Sequence, residues 1–193
     1  MFAVLHAFDQ KLFLMVYVAR HPFLDWLMPV LSEPSYFILP IALAILYLLS
    51  RSSHAERRVV PWSVLLVVAT DATTTLLKGV FQRPRPLSDP TLIIDRAASY
   101  SFPSQHAINV FALAAFLAAR YPKLTAPLLL FACSVGYSRI YLGNHYPLDV
   151  FAGAALGGAW GIAAAALYRR LEGTTEPPAT DATDTPGAAV SGR

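Results

Sequence analysis

The chain has 193 residues, 55% of them hydrophobic and only 14% charged, with a formal net charge of +3 and a mean hydropathy of +0.48. Apolar content that high, gathered in blocks, exceeds what a soluble domain of this size needs for its core and favours an integral membrane protein. The bases flank apolar runs instead of forming a groove-binding stripe, which argues against nucleic acid as a partner.

Residues 2–19 are apolar but interrupted by His6, Asp9 and Lys11. Without a basic leading region or a small-residue cleavage site, this start reads as retained, not as a signal peptide. It is either a span or an amphipathic helix in the interface, with a crossing or partly crossing helix preferred. Arg20-His21-Pro22 ends it, and residues 23–31 form a short apolar stretch holding Asp25. Five clearer runs follow, at residues 35–49, 59–77, 107–119, 124–141 and 148–168. Each approaches or reaches the roughly 20 residues that cross hydrocarbon as a helix. In lipid, backbone polar groups must pair within the segment, so these runs are expected to be helical. The run at 107–119 is short and is expected to begin a few residues earlier. The fold class is therefore an all-α transmembrane bundle of five to six helices. In the last run, Gly153-x3-Gly157-x3-Gly161 is a small-xxx-small ladder, suited to close packing inside the bundle, with a dimer seam as the alternative. Cys133, the one cysteine, permits no intrachain disulfide and reads as a small packing residue. Residues 1–171 form the expected domain. The tail at 172–193, rich in Thr, Pro, Ala, Gly and Asp, is expected to be disordered.

Three polar clusters border these runs. The first is Lys78-x6-Arg85-Pro86, with Arg83 between. Fixed cations stabilise the charge on a transferring phosphoryl group, and the planar fork of Arg suits phosphate. A plain basic stretch touching lipid head groups is the simpler reading. Pro84 and Pro86 oppose it, because they hold the chain extended and fix where the arginines point. The second cluster, Pro103-Ser104-Gln105-His106, precedes a helix whose free N–H groups attract anions. His106 there can donate a proton to a leaving oxygen. Alone, the cluster would be an N-cap and an interfacial histidine. The third is Ser138-Arg139-x5-His145-x3-Asp149. Four residues apart, His145 and Asp149 can share a helix face. A carboxylate bonded to one imidazole nitrogen would fix the tautomer and leave the other free to attack. A metal site would need further ligands, which the spacing does not supply. Asp71 lies on the helix before Lys78, about two turns deeper. A structural role is preferred for it over a functional one.

Charge gives the topology. Arg51, Arg57 and Arg58, then Arg120 and Lys123, then Arg169 and Arg170 fall on one side by parity, which the positive-inside rule assigns to the cytoplasm. All three polar clusters then meet at the opposite rim, as one active site requires.

In order and spacing, the clusters resemble the three signature motifs of the type 2 phosphatidic acid phosphatase (PAP2) superfamily, which includes lipid phosphate phosphatases, undecaprenyl pyrophosphate phosphatases, glucose-6-phosphatase and the vanadium haloperoxidases. The resemblance covers Lys78 to Asp149. It departs at Gln105, where the family usually has Gly; Gln105 either adopts the glycine's conformation or contributes its amide to phosphate. The resemblance implies a haloperoxidase-like helical core. It makes His145 a nucleophile that forms a phosphohistidine, oriented by Asp149, and His106 the acid that protonates the leaving group and then activates water. Lys78, Arg85, Ser104, Gln105 and Arg139 would hold the phosphate. No metal or cofactor is expected. The expected function is hydrolysis of a lipid mono- or diphosphate at the non-cytoplasmic face of the inner membrane. Undecaprenyl pyrophosphate is the first candidate, because the chain carries no added soluble domain. Phosphatidic acid, phosphatidylglycerol phosphate and lipid A phosphates stay open, as does phosphotransfer to another lipid. A non-enzymatic membrane protein is the remaining class, opposed by the intact set of site residues.

Overall fold

The computed structural model describes residues 2–51, 54–87 and 100–173. All regular elements among them are helical, apart from an isolated bridge between Pro84 and Tyr100. In chain order they are α1 (Phe2–Val18), α2 (Pro22–Ser32), α3 (Ser35–Arg51), α4 (His54–Arg57), α5 (Val59–Phe81), α6 (Gln105–Arg120), a 3-10 turn (Pro122–Leu124), α7 (Thr125–Tyr141) and α8 (Pro147–Gly173).

Five of these coincide with the five expected spans. Val59–Phe81 and Pro147–Glu172 are long and apolar enough to cross a bilayer. As expected, α6 starts inside the second polar cluster, at Gln105. Large apolar side chains cover the outside: Leu39, Leu43, Leu46, Val64, Leu65, Val68, Leu76, Phe151 and Ile162 are all exposed. Water would penalise such a surface, and hydrocarbon would not. The basic residues follow the same logic. Arg58 precedes α5, whose last turns carry Lys78, and Arg120 and Arg170 end α6 and α8, whose first turns carry the second and third clusters. Bases and polar clusters thus occupy opposite ends of the same helices.

The centre of the bundle is α6 against α8. A methyl group added at Gly153 would lie 2.8 Å from the Ser104 carbonyl oxygen and 2.9 Å from Ala107 Cβ. Added at Gly157 or Gly161, it would overlap the carbonyls of Ile108 and Ala112. The glycine ladder is therefore the seam on which α8 approaches the α6 backbone, not a free dimer face. Gly158, off that line, has nothing within 4 Å of such a methyl. At the basic end, Val59, Leu66, Ala112, Phe116, Ala165 and Tyr168 form a buried cluster, with Trp62 and Tyr168 edge to face at 5.7 Å.

Two expectations change. From Asp9 to Tyr17, α1 meets Arg83, Tyr146, Leu148, Ile140 and Val150, groups that all belong to the polar end of the bundle. It lies across that rim, as the interfacial alternative has it, instead of descending through the membrane. Its exposed Val4, Leu5, Phe8, Leu14, Met15 and Val18 give it an apolar outer face. Helix α2 sits at the same end, with Tyr141 Oη donating to Asp25 Oδ1 at 2.7 Å. The second change is at the other terminus, where α8 continues through Glu172 to Gly173. Two residues expected in the tail are thus helical, and 174–193 lie outside the described residues.

Candidate active site

The rim is organised by how each helix ends. Helix α5 stops at Gln82, in the left-handed conformation at φ 45°, whose N–H returns to the Lys78 carbonyl. The chain then runs extended through Arg83-Pro84-Arg85 and is tied to Ser101, whose N–H donates to the Arg83 carbonyl at 2.7 Å. Lys78, one turn back inside α5, is buried.

Ser104 is the N-cap of α6, yet its hydroxyl makes no capping bond. Its backbone is committed: the N–H donates to the Asp149 carbonyl at 3.0 Å, and the carbonyl accepts from Ile108 N–H at 3.0 Å. Its Oγ is buried without a partner among the described residues, and so is Arg139 Nε. Arg139, at the end of α7, is held by a hydrogen bond from Nη1 to Ser32 Oγ of α2. Buried polar atoms normally find partners. Arg139 stands near enough to Lys78 and Arg85 for their charges to interact. His106 stands in the first turn of α6, close enough to Arg139, His145, Arg85 and Lys78 to feel their charge.

His145 is 1% exposed, in the loop between α7 and α8. Its Nδ1 lies 2.8 Å from the Ser101 carbonyl oxygen, which can only accept, so Nδ1 carries the hydrogen. Nε2 is left with its lone pair and faces Arg85 Nη1 at 3.4 Å, while that same Nη1 donates to the Asn144 carbonyl at 3.0 Å. Burial, reinforced by the neighbouring Arg85 guanidinium and opposed by Asp149, pushes the His145 imidazole down to about 4. Burial likewise lowers the Arg85 guanidinium from its ordinary value. His145 is thus neutral at physiological pH, a buried base whose Nε2 lone pair faces the Arg85 guanidinium.

Two expected contacts are made differently. The hydrogen bond assigned to the Asp149 carboxylate is supplied by the Ser101 carbonyl, and Asp149 Oδ2 stands 3.8 Å from Nδ1. Asp149 Oδ2 instead accepts from Tyr146 N–H at 2.9 Å, and Oδ1 accepts from Arg83 Nη1 at 2.6 Å. The carboxylate acts on the imidazole from one step back. Gln105 does not send its amide to the cations. Its Nε2 donates to Asp71 Oδ1 at 2.8 Å, beside Asn109 Nδ2 at the same distance. Asn109 Oδ1 in turn accepts from Thr70 Oγ1 at 2.8 Å. Asp71 thus ties α5 to α6. Lys78, Arg85, Ser104, His106, Arg139, His145 and Asp149 are brought together, and Gln105 joins the wall below them.

The motifs did not reveal Ser101, Ser32 or Asp9. Ser101 acts through its backbone, which no residue pattern reports. Asp9 did leave a signal, as a carboxylate within an apolar run. Among the described residues no three His, Cys, Asp or Glu side chains gather as metal ligands would.

Comparison with known proteins places this geometry in context. The family profile described as PAP2 superfamily matches residues 59–172. The chain is 32% identical over 187 residues to the lipid A 4'-phosphatase of Bacteroides thetaiotaomicron, covering 88% of this chain and 83% of that protein. It is 33% identical over 129 residues to undecaprenyl-diphosphatase BcrC of Bacillus subtilis, covering 66% of each. Among solved structures, Aquifex aeolicus LpxE superposes with a TM-score of 0.63 at 31% identity, over 80% of this chain and 93% of that one.

Proposed function

The chain belongs to the PAP2 superfamily and is a membrane phosphatase of lipid phosphates, and from that premise we propose that it works through a phosphohistidine on His145. In this reading a terminal phosphate sits among Lys78, Arg85, Arg139 and the Ser104 hydroxyl. His145 Nε2 attacks phosphorus as the bond to the leaving oxygen breaks, and His106 gives that oxygen its proton. His106 then removes a proton from water. The water oxygen attacks phosphorus, the bond to Nε2 breaks, and inorganic phosphate leaves. Charge on the phosphoryl oxygens is met throughout by cations already in place, so little reorganisation is needed as it shifts.

The observation that carries this reading is the state of His145: Nδ1–H given to the Ser101 carbonyl at 2.8 Å, and Nε2 without a hydrogen and turned toward Arg85 Nη1 at 3.4 Å. The open Ser104 Oγ and Arg139 Nε add to it. We place the site on the non-cytoplasmic face of the inner membrane, supported by the bases at the opposite helix ends. The fixed cations take the part a divalent ion plays elsewhere. Undecaprenyl diphosphate is the favoured substrate, supported by likeness to BcrC, with lipid A phosphates next by likeness to the Bacteroides enzyme. Residues 1–171 are the catalytic domain in this reading.

The test is phosphate release by the purified protein from undecaprenyl diphosphate, lipid A, phosphatidic acid and phosphatidylglycerol phosphate, with and without EDTA. We expect release that survives the chelator, fastest from the prenyl diphosphate. Phosphate recovered in a lipid acceptor would assign a phosphotransferase instead. No release from any of the four would remove the enzymatic reading.

A further inference from the structure

We propose that Asp9 and Arg83 are positioning residues for this reaction: a carboxylate–guanidinium–carboxylate chain through which the rim helix α1 sets Asp149, and with it His145. The inference rests on the phosphohistidine reading above.

Arg83 forks between two fully buried carboxylates. Its Nη2 meets Asp9 Oδ2 at 2.5 Å and its Nη1 meets Asp149 Oδ1 at 2.6 Å. Two charge-assisted bonds from one planar group to two carboxylates fix direction as well as distance. The face of the guanidinium lies 4.2 Å from the centroid of the Tyr146 ring, which closes off a third direction. Asp9 is anchored independently, because its Oδ1 accepts from Leu148 N–H at 2.9 Å in the first turn of α8. Its two oxygens thus join the helix that carries Asp149 to the arginine that holds Asp149.

The backbone of Arg83 reaches the nucleophile by a second route. Its carbonyl accepts from Ser101 N–H at 2.7 Å, and the Ser101 carbonyl fixes His145 Nδ1 at 2.8 Å. One residue therefore governs both groups beside that nitrogen, the carbonyl that bonds it and the carboxylate 3.8 Å away. Arg83 and Arg85 divide the labour. Arg85 faces Nε2, where phosphorus would bind, and Arg83 faces the carboxylates behind the imidazole. Asp9 belongs to α1, outside the 59–172 stretch that matches the family profile, so the site of this chain extends beyond that stretch.

The experiment uses the full-length protein in detergent micelles, with farnesyl diphosphate as the probe and phosphate release as the readout. Asp9→Asn and Arg83→Ala are expected to lower kcat about 30- to 100-fold and to leave KM within about threefold, because neither side chain holds the phosphate. Arg83→Lys should recover part of the loss. In an Asp149→Asn background, adding Arg83→Ala should slow turnover by less than about threefold, since the carboxylate it positions is already altered. A purely structural defect would instead add in full. Should Arg83→Ala fail to fold, the near-isosteric Asp9→Asn and the charge-preserving Arg83→Lys carry the same test. Rates within threefold of wild type in Asp9→Asn and Arg83→Ala, or a full additional loss in the Asp149→Asn background, overturn the proposal. His145→Ala assayed in parallel separates the two claims. If it is inactive while these variants are normal, only the positioning role falls. If it turns over at the wild-type rate, both fall.

Discussion

The α6–α8 seam and the charged rim above it are built by opposite means. The seam contains almost no polar chemistry. Gly153, Gly157 and Gly161 lie against the backbone of Ser104, Ile108 and Ala112, where no larger side chain fits. In a bilayer, apolar area alone does not favour helix over lipid, so close contact between backbones must hold the pair. The rim reverses this. There Asp9, Arg83 and Asp149, the Ser101 carbonyl, and the Arg139 bond to Ser32 hold groups by directed hydrogen bonds. The two regions meet at Ser104, whose carbonyl is the surface Gly153 packs on and whose N–H binds the Asp149 carbonyl. The seam sets where the two helix starts sit, and the rim sets what they do. Stability and activity should therefore separate when each region is altered.

The largest separation is expected at His145. His145→Ala should lower turnover at least about 10⁴-fold, as loss of a nucleophile does. Its unfolding midpoint in detergent should change far less than that of a seam variant. Comparable losses of both in thermal-shift and phosphate-release assays would erase the distinction. Next is Gly157→Leu. Forcing a side chain into the Ile108 carbonyl should destabilise the bundle by about 3 kcal/mol or more. Gly158→Ala, on the open side, should be near neutral. Equal midpoints for the two variants would show that the seam does not hold the helices.

A smaller effect is expected from pH. The imidazole of His145 is held at about 4 in the folded protein against an ordinary value near 6.5. Between those values the unfolded chain binds a proton that the folded one refuses. Stability from this group is therefore present above pH 6.5 and is lost as pH falls toward 4. Nitrogen-15 spectra of histidine-labelled protein should show the His145 ring titrating near 4, and a midpoint near 6.5 would mean that it is not desolvated. The smallest effect should follow Gln105→Ala. It removes one of two amide donors to Asp71 and should reduce stability by about 1 kcal/mol. Turnover should change less than in any rim variant. A drop in turnover as large as that of Asp149→Asn would return Gln105 to the phosphate site.

The sequence made the helices and the motif residues legible because both obey local rules. Apolar length marked α3 and α5 to α8, the three-residue gaps between glycines marked the seam, and four-residue spacing joined His145 to Asp149. What escaped it depends on distant pairs or on backbone atoms. Arg83 looks like Arg85 in the sequence, yet its carboxylate partners lie 74 and 66 residues away. Gln105 reads as a replaced glycine until Asp71, 34 residues earlier, is seen beneath it. The acceptor for His145 Nδ1 is a carbonyl, which every residue carries. The run containing α1 left a span and an interfacial helix both open, and its contacts with Arg83, Tyr146 and Leu148 place it across the rim.

The central claim is that His145 Nε2 becomes covalently bound to phosphorus. The direct measurement is rapid quenching in alkaline detergent of enzyme mixed with a prenyl diphosphate labelled with phosphorus-32 at its terminal phosphate, followed by alkaline peptide mapping. The His106→Ala variant should hold its label longer than wild type once label has formed, because it lacks the group that activates water. That label should be stable to base and labile to acid, as phosphohistidine is, and should map to the peptide containing His145. Label on another residue, or turnover by wild type with no protein-bound phosphate at any quench time in either enzyme, would contradict the account.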